Sequence, residues 1–226
     1  MSIIHPDPHT YLRRMVFRKG TIAILAFSGI LIISVVSFIF KNLVLSVVGS
    51  VLLLVLFMVN YDSFLKYLLG FIGEFRVKGI IDSHEHILGY HNIILPGEYS
   101  NIDHVILTKQ GVICVETKSF GGKLSIYQGK WYYGGEMKWN PMQQVTQNSK
   151  KLKEYFDKNG VDPEIVRSGI VVLGVLPAKL IRKDRYKTVF TYRQLSRYLL
   201  NLPYWDLDRL ELEKAKSLLE QLKKHS

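Results

Sequence analysis

The chain has 226 residues, with 30 Lys and Arg against 19 Asp and Glu and a formal charge of +11. Its one cysteine, Cys114, excludes an internal disulfide and agrees with a reducing compartment. Residues before 60 hold five of the bases and one acid, which leaves +7 on the remainder, an excess that suits a polyanionic partner or an anionic lipid surface and equally serves solubility alone.

Thr21 to Phe40 is twenty residues without a charge, and Leu43 to Val59 is seventeen more, separated by Lys41 and Asn42. At about 1.5 Å of rise per residue, the first crosses a bilayer core of roughly 30 Å comfortably and the second just reaches. A signal peptide has a shorter apolar region and a cleavage site, and a soluble core helix carries a polar stripe. Neither description fits two uncharged segments in immediate succession. The expectation is a two-helix transmembrane hairpin over residues 21–59, preceded by a basic N-terminus of residues 1–20. Arg13, Arg14, Arg18 and Lys19 come before it and Lys66, Arg76 and Lys78 after it, against Lys41 alone in the turn. That asymmetry predicts both termini and the globular part on the cytoplasmic side.

Residues 60–226 suffice for one domain with its own core and show no internal repeat, low-complexity run or second linker. Residues 63–72 are mostly apolar and predict a helix that carries Gly73 and Glu74 on to about His86. Strands follow at His91–Leu95, Ile102–Thr108, Val112–Lys118, Lys123–Gln128 and Trp131–Tyr133, broken by Pro96-Gly97, Gln110-Gly111, Gly121-Gly122 and Gly129-Lys130, in the manner of a meander. A helix opens at Pro141, where proline suits the first turn, and stops at Asn159-Gly160. Ile170 to Leu176 is a continuous apolar run ending at Pro177, the pattern of a strand buried on both faces, and Thr188–Phe190 is a further candidate. Thr191 with Gln194 forms a capping-box pattern for a helix through Leu200. Leu207, Leu210, Ala215, Leu218, Leu219 and Leu222 make the apolar stripe of a last helix.

Residues 101–124 carry the chemistry. With Lys109 and Gln110 at the centre of a turn, Leu107 faces Val112, Val105 faces Cys114 and Asp103 faces Glu116. Directly opposed residues hold their Cβ atoms about 5 Å apart, so two carboxylates lie side by side, with Lys118 on the same face. The opposite face, Ile106, Ile113 and Val115, is apolar, as at the centre of a sheet. Opposed carboxylates in such a place are resolved by a raised pKa, by Lys118 as counter-charge or by a bound cation. An oxygen-rich pair suits Mg2+ or Mn2+ and leaves the lysine to touch a water or a phosphate.

An acidic residue at a strand start, a hydrophobic hairpin and then Val115-Glu116-Thr117-Lys118 resembles the core of PD-(D/E)xK nucleases. More closely, about residues 70–200 resemble the nuclease-related domain (NERD) family in four motifs taken in order. These are Gly73-Glu74 on a helix, Ile102-Asp103-His104 on a strand, Glu116-Thr117-Lys118 followed by Gly121-Gly122, and Asn140-Pro141-Met142-Gln143-Gln144 opening a helix. Ser119-Phe120 stands where the family has an Asn-Trp-like pair. The resemblance implies an α/β fold, a restriction-endonuclease-like mixed sheet flanked by helices, within residues 60–226. It implies Asp103 and Glu116 as ligands of Mg2+ or Mn2+, Lys118 as the residue that positions the attacking water, and Glu74 as a helix-borne acid. Gln144 is a further contributor, with Gln143 as its alternative. The activity implied is metal-dependent hydrolysis of phosphodiester bonds in nucleic acid, DNA before RNA. A catalytically silent module that binds nucleic acid or a partner at the membrane is the alternative, and a lipid-surface adaptor is a third.

Lys138, Lys150, Lys151 and Lys153 are candidate phosphate contacts or simply a solvated helix face, and Trp131, Tyr132, Tyr133 and Trp139 either stack bases or pack a small sheet. His84-Glu85-His86 has the look of a metal pair but not its helical spacing. Cys114 reads as a core thiol, and Arg182 to Lys187 as a solvated basic loop that also suits lipid or nucleic acid. Glu74 lies about fifteen residues past the second apolar segment, which predicts a site close to the bilayer.

Overall fold

The computed structural model describes residues 8–39, 43–167, 169–175, 179–182, 188–201 and 209–225. Two long helices come first, α1 (Pro8–Ile39) and α2 (Leu43–Asp82), and the expected turn at Lys41 and Asn42 lies outside the described residues. Each contains a stretch long and apolar enough to cross a membrane. His9–Phe71 forms one compact unit, in which small residues let the helices approach. A Cβ placed on Gly29 would lie 3.0 Å from Leu53, and one on Gly49 3.0 Å from Ile33. Lys19 Nζ donates to Asn60 Oδ1 at 3.2 Å, so the polar ends of the two apolar stretches meet at one end of the hairpin. The outward apolar side chains are bare, with Phe38 85% exposed.

The residues from Ile72 onward form a second unit. Its first element is the last part of α2, which stops at Asp82, short of the expected His86. Ser83 Oγ donates to the Ile80 carbonyl at 2.8 Å and His84 Nδ1 bonds the same oxygen at 2.7 Å, so two side chains take an acceptor that a further turn would use.

The strands are β1 (Leu88–Ile94), β2 (Asn101–Thr108), β3 (Gly111–Ser119), β4 (Lys123–Tyr127), β5 (Lys130–Tyr132), β6 (Ile170–Val175), β7 (Lys179–Arg182) and β8 (Val189–Thr191). They make a five-stranded sheet in the order β1-β2-β3-β6-β8 and a three-stranded one in the order β5-β4-β7. The expected pairing of Leu107 with Val112 and Val105 with Cys114 is present. The single meander is not. β1, β2 and β3 do run antiparallel in succession, but β6 takes the free edge of β3 in parallel, so β4 turns away and pairs with β5 and, in parallel, with β7. Pairing of β3 with β6 jumps from Lys118↔Leu173 to Ser119↔Val175, leaving Gly174 as a bulge.

Helices cover both faces of the larger sheet. On one, Val105, Leu107, Val112, Cys114, Val171 and Leu173 join a core with Val145, Leu152 and Phe156 of α3 (Pro141–Lys158) and Ala215, Leu219 and Leu222 of α5 (Arg209–His225). On the other, Ile106, Ile113, Val115, Ile170 and Val172 meet Val77 and Ile81 of α2 and Leu195 and Leu199 of α4 (Tyr192–Leu200). Burial on both faces is why β6 reads as an unbroken apolar run. Leu210, assigned to the α5 stripe, is exposed, while Leu207, Leu176, Pro177 and residues 183–187 of the basic run lie outside the described residues. Both expected helix starts are capped. Asn140 and Gln143 exchange bonds of 3.0 and 3.1 Å at α3, and Thr191 N–H donates to Gln194 Oε1 at 3.0 Å at α4.

Candidate active site

Glu116 sits in the body of β3 with none of its surface exposed. Alternation along the strand places it on the α3 side with Cys114 and Lys118. Lys118 Nζ lies 2.5 Å from Glu116 Oε1, and Asn148 of α3 reaches Glu116 Oε2 with its amide at 3.5 Å. The last ladder pair of the hairpin is His104↔Val115. One step beyond it, Asp103 Oδ2 accepts the Thr117 N–H at 2.7 Å, which fixes the carboxylate at the level of Glu116.

Glu74 comes from a different element, and two glycines bring it in. A Cβ on Gly73 would collide with Ser119 Oγ and lie 3.3 Å from Gly174 Cα, and one on Gly174 would lie 2.5 Å from Gly73 Cα. The backbone of α2 therefore rests directly on the bulge of β6, beside the strand that carries Glu116 and Lys118. This is a physical reason for glycine in the Gly73-Glu74 pair.

The carboxylates disturb one another. Burial first and the charge of Asp103 second push Glu116 up to about 8, against the favourable pull of Lys118. Glu74 is likewise pushed up to about 8, by burial and then by Asp103. Burial also raises Asp103, opposed by Lys118 and the Thr117 N–H. Burial works against the Lys118 ammonium, but Glu116, Asp103 and Glu74 together outweigh it and hold the lysine above its ordinary value. Three acids and one base from β2, β3 and α2 thus form a single electrostatic cluster.

Among the described residues no group of three or more His, Cys, Asp or Glu is drawn together as a metal cage. The donor set that fits an ion is the pair Asp103 and Glu116, hard oxygen ligands with Glu74 within electrostatic reach. Two carboxylates with the remaining positions left to water and phosphate suit Mg2+ or Mn2+, and they do not suit a closed zinc or calcium site.

Gln143 is consumed as the partner of Asn140 in the α3 cap, while Gln144 is half-buried and stands one turn before Asn148 on the same helix face. Asn148 was not foreseen. Its spacing of four from Gln144 was the available signal. Lys118 Nζ also lies 5.8 Å from the centroid of the Trp139 ring, which is 45% exposed. Trp131, in contrast, is a core residue packed near Phe120, and Tyr133 is exposed.

The lysines proposed to grip phosphate are mostly paired: Lys151 with Glu98 at 2.5 Å, Lys153 with Glu164 at 3.0 Å and Lys150 with Glu154 at 3.8 Å. Lys138 is exposed. His84 is spent structurally, its Nδ1 on the Ile80 carbonyl and its Nε2 3.1 Å from Ser196 Oγ, so it makes no metal pair with the exposed His86. Cys114 is buried, and burial raises its thiol to about 12, as for an inert core residue.

Residues 69–173 match the family model described as the nuclease-related domain, NERD. No curated protein and no solved structure matches the chain.

Proposed function

We propose, from the premise that residues 69–173 are a nuclease-related domain, that this protein is a membrane-anchored, divalent-metal-dependent nuclease that hydrolyses phosphodiester bonds. The observation that carries the reading is the convergence of Glu74, Asp103 and Glu116 around Lys118, with both glutamates pushed up to about 8. A fold has little reason to bury two mutually repelling acids, with a third half-buried beside them, unless a cation or a proton is meant to join them.

Asp103 and Glu116 are the residues to hold the ion, which when bound lowers the pKa of a water and offsets the charge that builds at phosphorus. Lys118, ion-paired to Glu116 and partly open to solvent, is placed to donate to a water or a phosphate oxygen. Glu74, with its proton held up to about 8, is poised to exchange it near neutral pH. Asn148 steadies the second oxygen of Glu116. Lys138, Lys150 and Lys151 are the proposed phosphate contacts. Exposed ion pairs such as Lys150 with Glu154 contribute little and exchange readily for a polyanion.

The apolar stretches of α1 and α2 supply the anchor. Their bare faces bury at about 25 cal/mol per Å2 only if something apolar covers them, and the positive flanks orient both ends of the hairpin toward the cytoplasm.

Full-length protein in detergent, incubated with DNA and with RNA in Mg2+ or Mn2+, tests the activity. Cleavage that depends on the ion and disappears in Glu116→Gln is expected. Absence of cleavage under every metal, or cleavage unchanged in that variant, refutes it. One observation favours a binding-only module instead: Lys118 already balances the charge of Glu116. Nucleic-acid binding that survives chelator and Asp103→Asn, without turnover, selects that reading.

A further inference from the structure

A row of polar side chains crosses the largely apolar sheet face beneath α2. Asp82 at the end of α2, His91 on β1, His104 on β2 and Thr117 on β3 stand in succession across it. Asp82 Oδ1 lies 2.9 Å from His91 Nε2, His91 Nδ1 lies 2.8 Å from His104 Nδ1, and His104 Nε2 lies 3.2 Å from Thr117 Oγ1. His104 is 1% exposed. Space for the row is kept by Gly89, where a Cβ would lie 2.6 Å from Ile81, 3.0 Å from the His91 ring and 3.1 Å from Asp82 Oδ1. The far end of the row is the site itself. Thr117 separates Glu116 from Lys118, and its N–H is the donor that holds Asp103 at 2.7 Å.

The direction of each bond follows from the first. An ionised carboxylate only accepts, so His91 carries its hydrogen on Nε2. Burial holds the His91 ring below its ordinary pKa despite Asp82, so the ring is neutral and its Nδ1 is bare. Two imidazole nitrogens at 2.8 Å share one hydrogen, which places it on His104 Nδ1. With the hydrogen on Nδ1, the other nitrogen of the His104 imidazole is the acceptor, and the Thr117 hydroxyl 3.2 Å away donates to it. One surface carboxylate thus settles the proton positions of two buried rings and the rotamer of a third side chain. The methyl of Thr117 points toward Gly174, where an added Cβ would come within 2.7 Å of it.

We infer that Asp82, His91 and His104 are positioning residues for the cluster, a relay that locks Thr117 and through its N–H holds the Asp103 carboxylate in register with Glu116. None of the three touches the reacting atoms. The consequence for turnover rests on the nuclease reading, whereas the relay itself is a matter of proton positions and is measured without any metal.

The test uses the full chain in detergent micelles, labelled with 15N in histidine and threonine, with signals assigned through His91→Gln, His104→Gln and Thr117→Val. The wild type is expected to show His91 as the Nε2–H tautomer, His104 as the Nδ1–H tautomer, and a Thr117 amide proton shifted downfield by its carboxylate acceptor. Asp82→Leu is expected to mix both tautomers and move the Thr117 amide signal upfield. Thr117→Val, which keeps the shape and the N–H, and Asp82→Leu are each expected to weaken Mn2+ binding about tenfold and to lower kcat more than they change KM, while Thr117→Ser stays within about twofold of wild type. His91 protonated on Nδ1 in the wild type, or tautomers and the Thr117 amide shift unmoved by Asp82→Leu, overturns the relay. Undiminished Mn2+ affinity in both Asp82→Leu and Thr117→Val overturns its link to the site. If the wild type neither binds Mn2+ nor cleaves, the nuclease reading fails, and the tautomers with the Thr117 shift still decide the relay.

Discussion

Glu116→Gln separates what the buried acid does for function from what it does to stability. In the wild type the folded state keeps the Glu116 proton up to about 8, whereas a glutamate in the unfolded chain releases it near its ordinary value of 4.5. Between those two values the folded protein binds more protons than the unfolded one. Its stability is therefore full below about pH 4.5 and is lost as pH rises toward 8, by up to about 1.4 kcal/mol per unit. Over the whole window the ceiling is about 4 to 5 kcal/mol, and Asp103, which titrates with Glu116, shares in it. Glutamine has the same shape and no charge, so the variant loses about one proton from this slope whatever its constant cost. Thermal unfolding of the full chain in detergent at pH 5 to 8, with chelator present, reports the two slopes. The variant is expected to lose less stability than the wild type on going from pH 5 to pH 8. Parallel curves for the two proteins refute the claim that Glu116 is buried at an electrostatic cost.

Three further outcomes follow from the same geometry. Mn2+ is expected to raise the unfolding temperature more at pH 8 than at pH 6, because binding displaces protons from raised carboxyls, and an equal rise at both values counts against Asp103 and Glu116 as ligands. Gly174→Ala puts a Cβ 2.5 Å from the Gly73 backbone, so it is expected to destabilise by about 1 to 3 kcal/mol and to weaken Mn2+ binding by moving α2 and Glu74, as read from melting and titration of the same samples. Asn148→Leu removes the amide near Glu116 and is expected to cut turnover about tenfold with substrate KM nearly unchanged. A variant altered only in KM assigns Asn148 to substrate binding instead.

What could be read from the sequence is what local chemistry determines. The two uncharged stretches, the α3 cap of Asn140 and Gln143, the Thr191–Gln194 start and the β2–β3 register depend on neighbours a few residues away, and each is found where its residues point. The approach of Asp103, Glu116 and Lys118 follows from that register. The rest depends on chain segments that meet across long separations. Nothing near β4 announces that β6, more than forty residues later, takes the edge of β3 and turns β4 into a second sheet. The contact of Gly73 with Gly174 spans about a hundred residues, and in the sequence Gly174 is one member of an ordinary apolar run. His91 and His104 each stand plainly in the sequence, but their alignment with Asp82 depends on the β1–β2 register and on α2 ending at Asp82, four residues before His86.

The paired departure of β3 and β6 from the larger sheet separates the part of this fold that tolerates insertion from the part that holds the carboxylates. The two strands run side by side up to Ser119 and Val175, and β4 and β7 again run side by side in parallel in the smaller sheet. The rungs that carry Glu116 and Lys118 are complete before that departure. At the tip following β5, Gly134 and Gly135 have nothing within 4 Å of an added Cβ. An insertion there lengthens the smaller sheet outward and shifts no rung of the larger one, so the surface around that tip can change while the carboxylate cluster keeps its geometry.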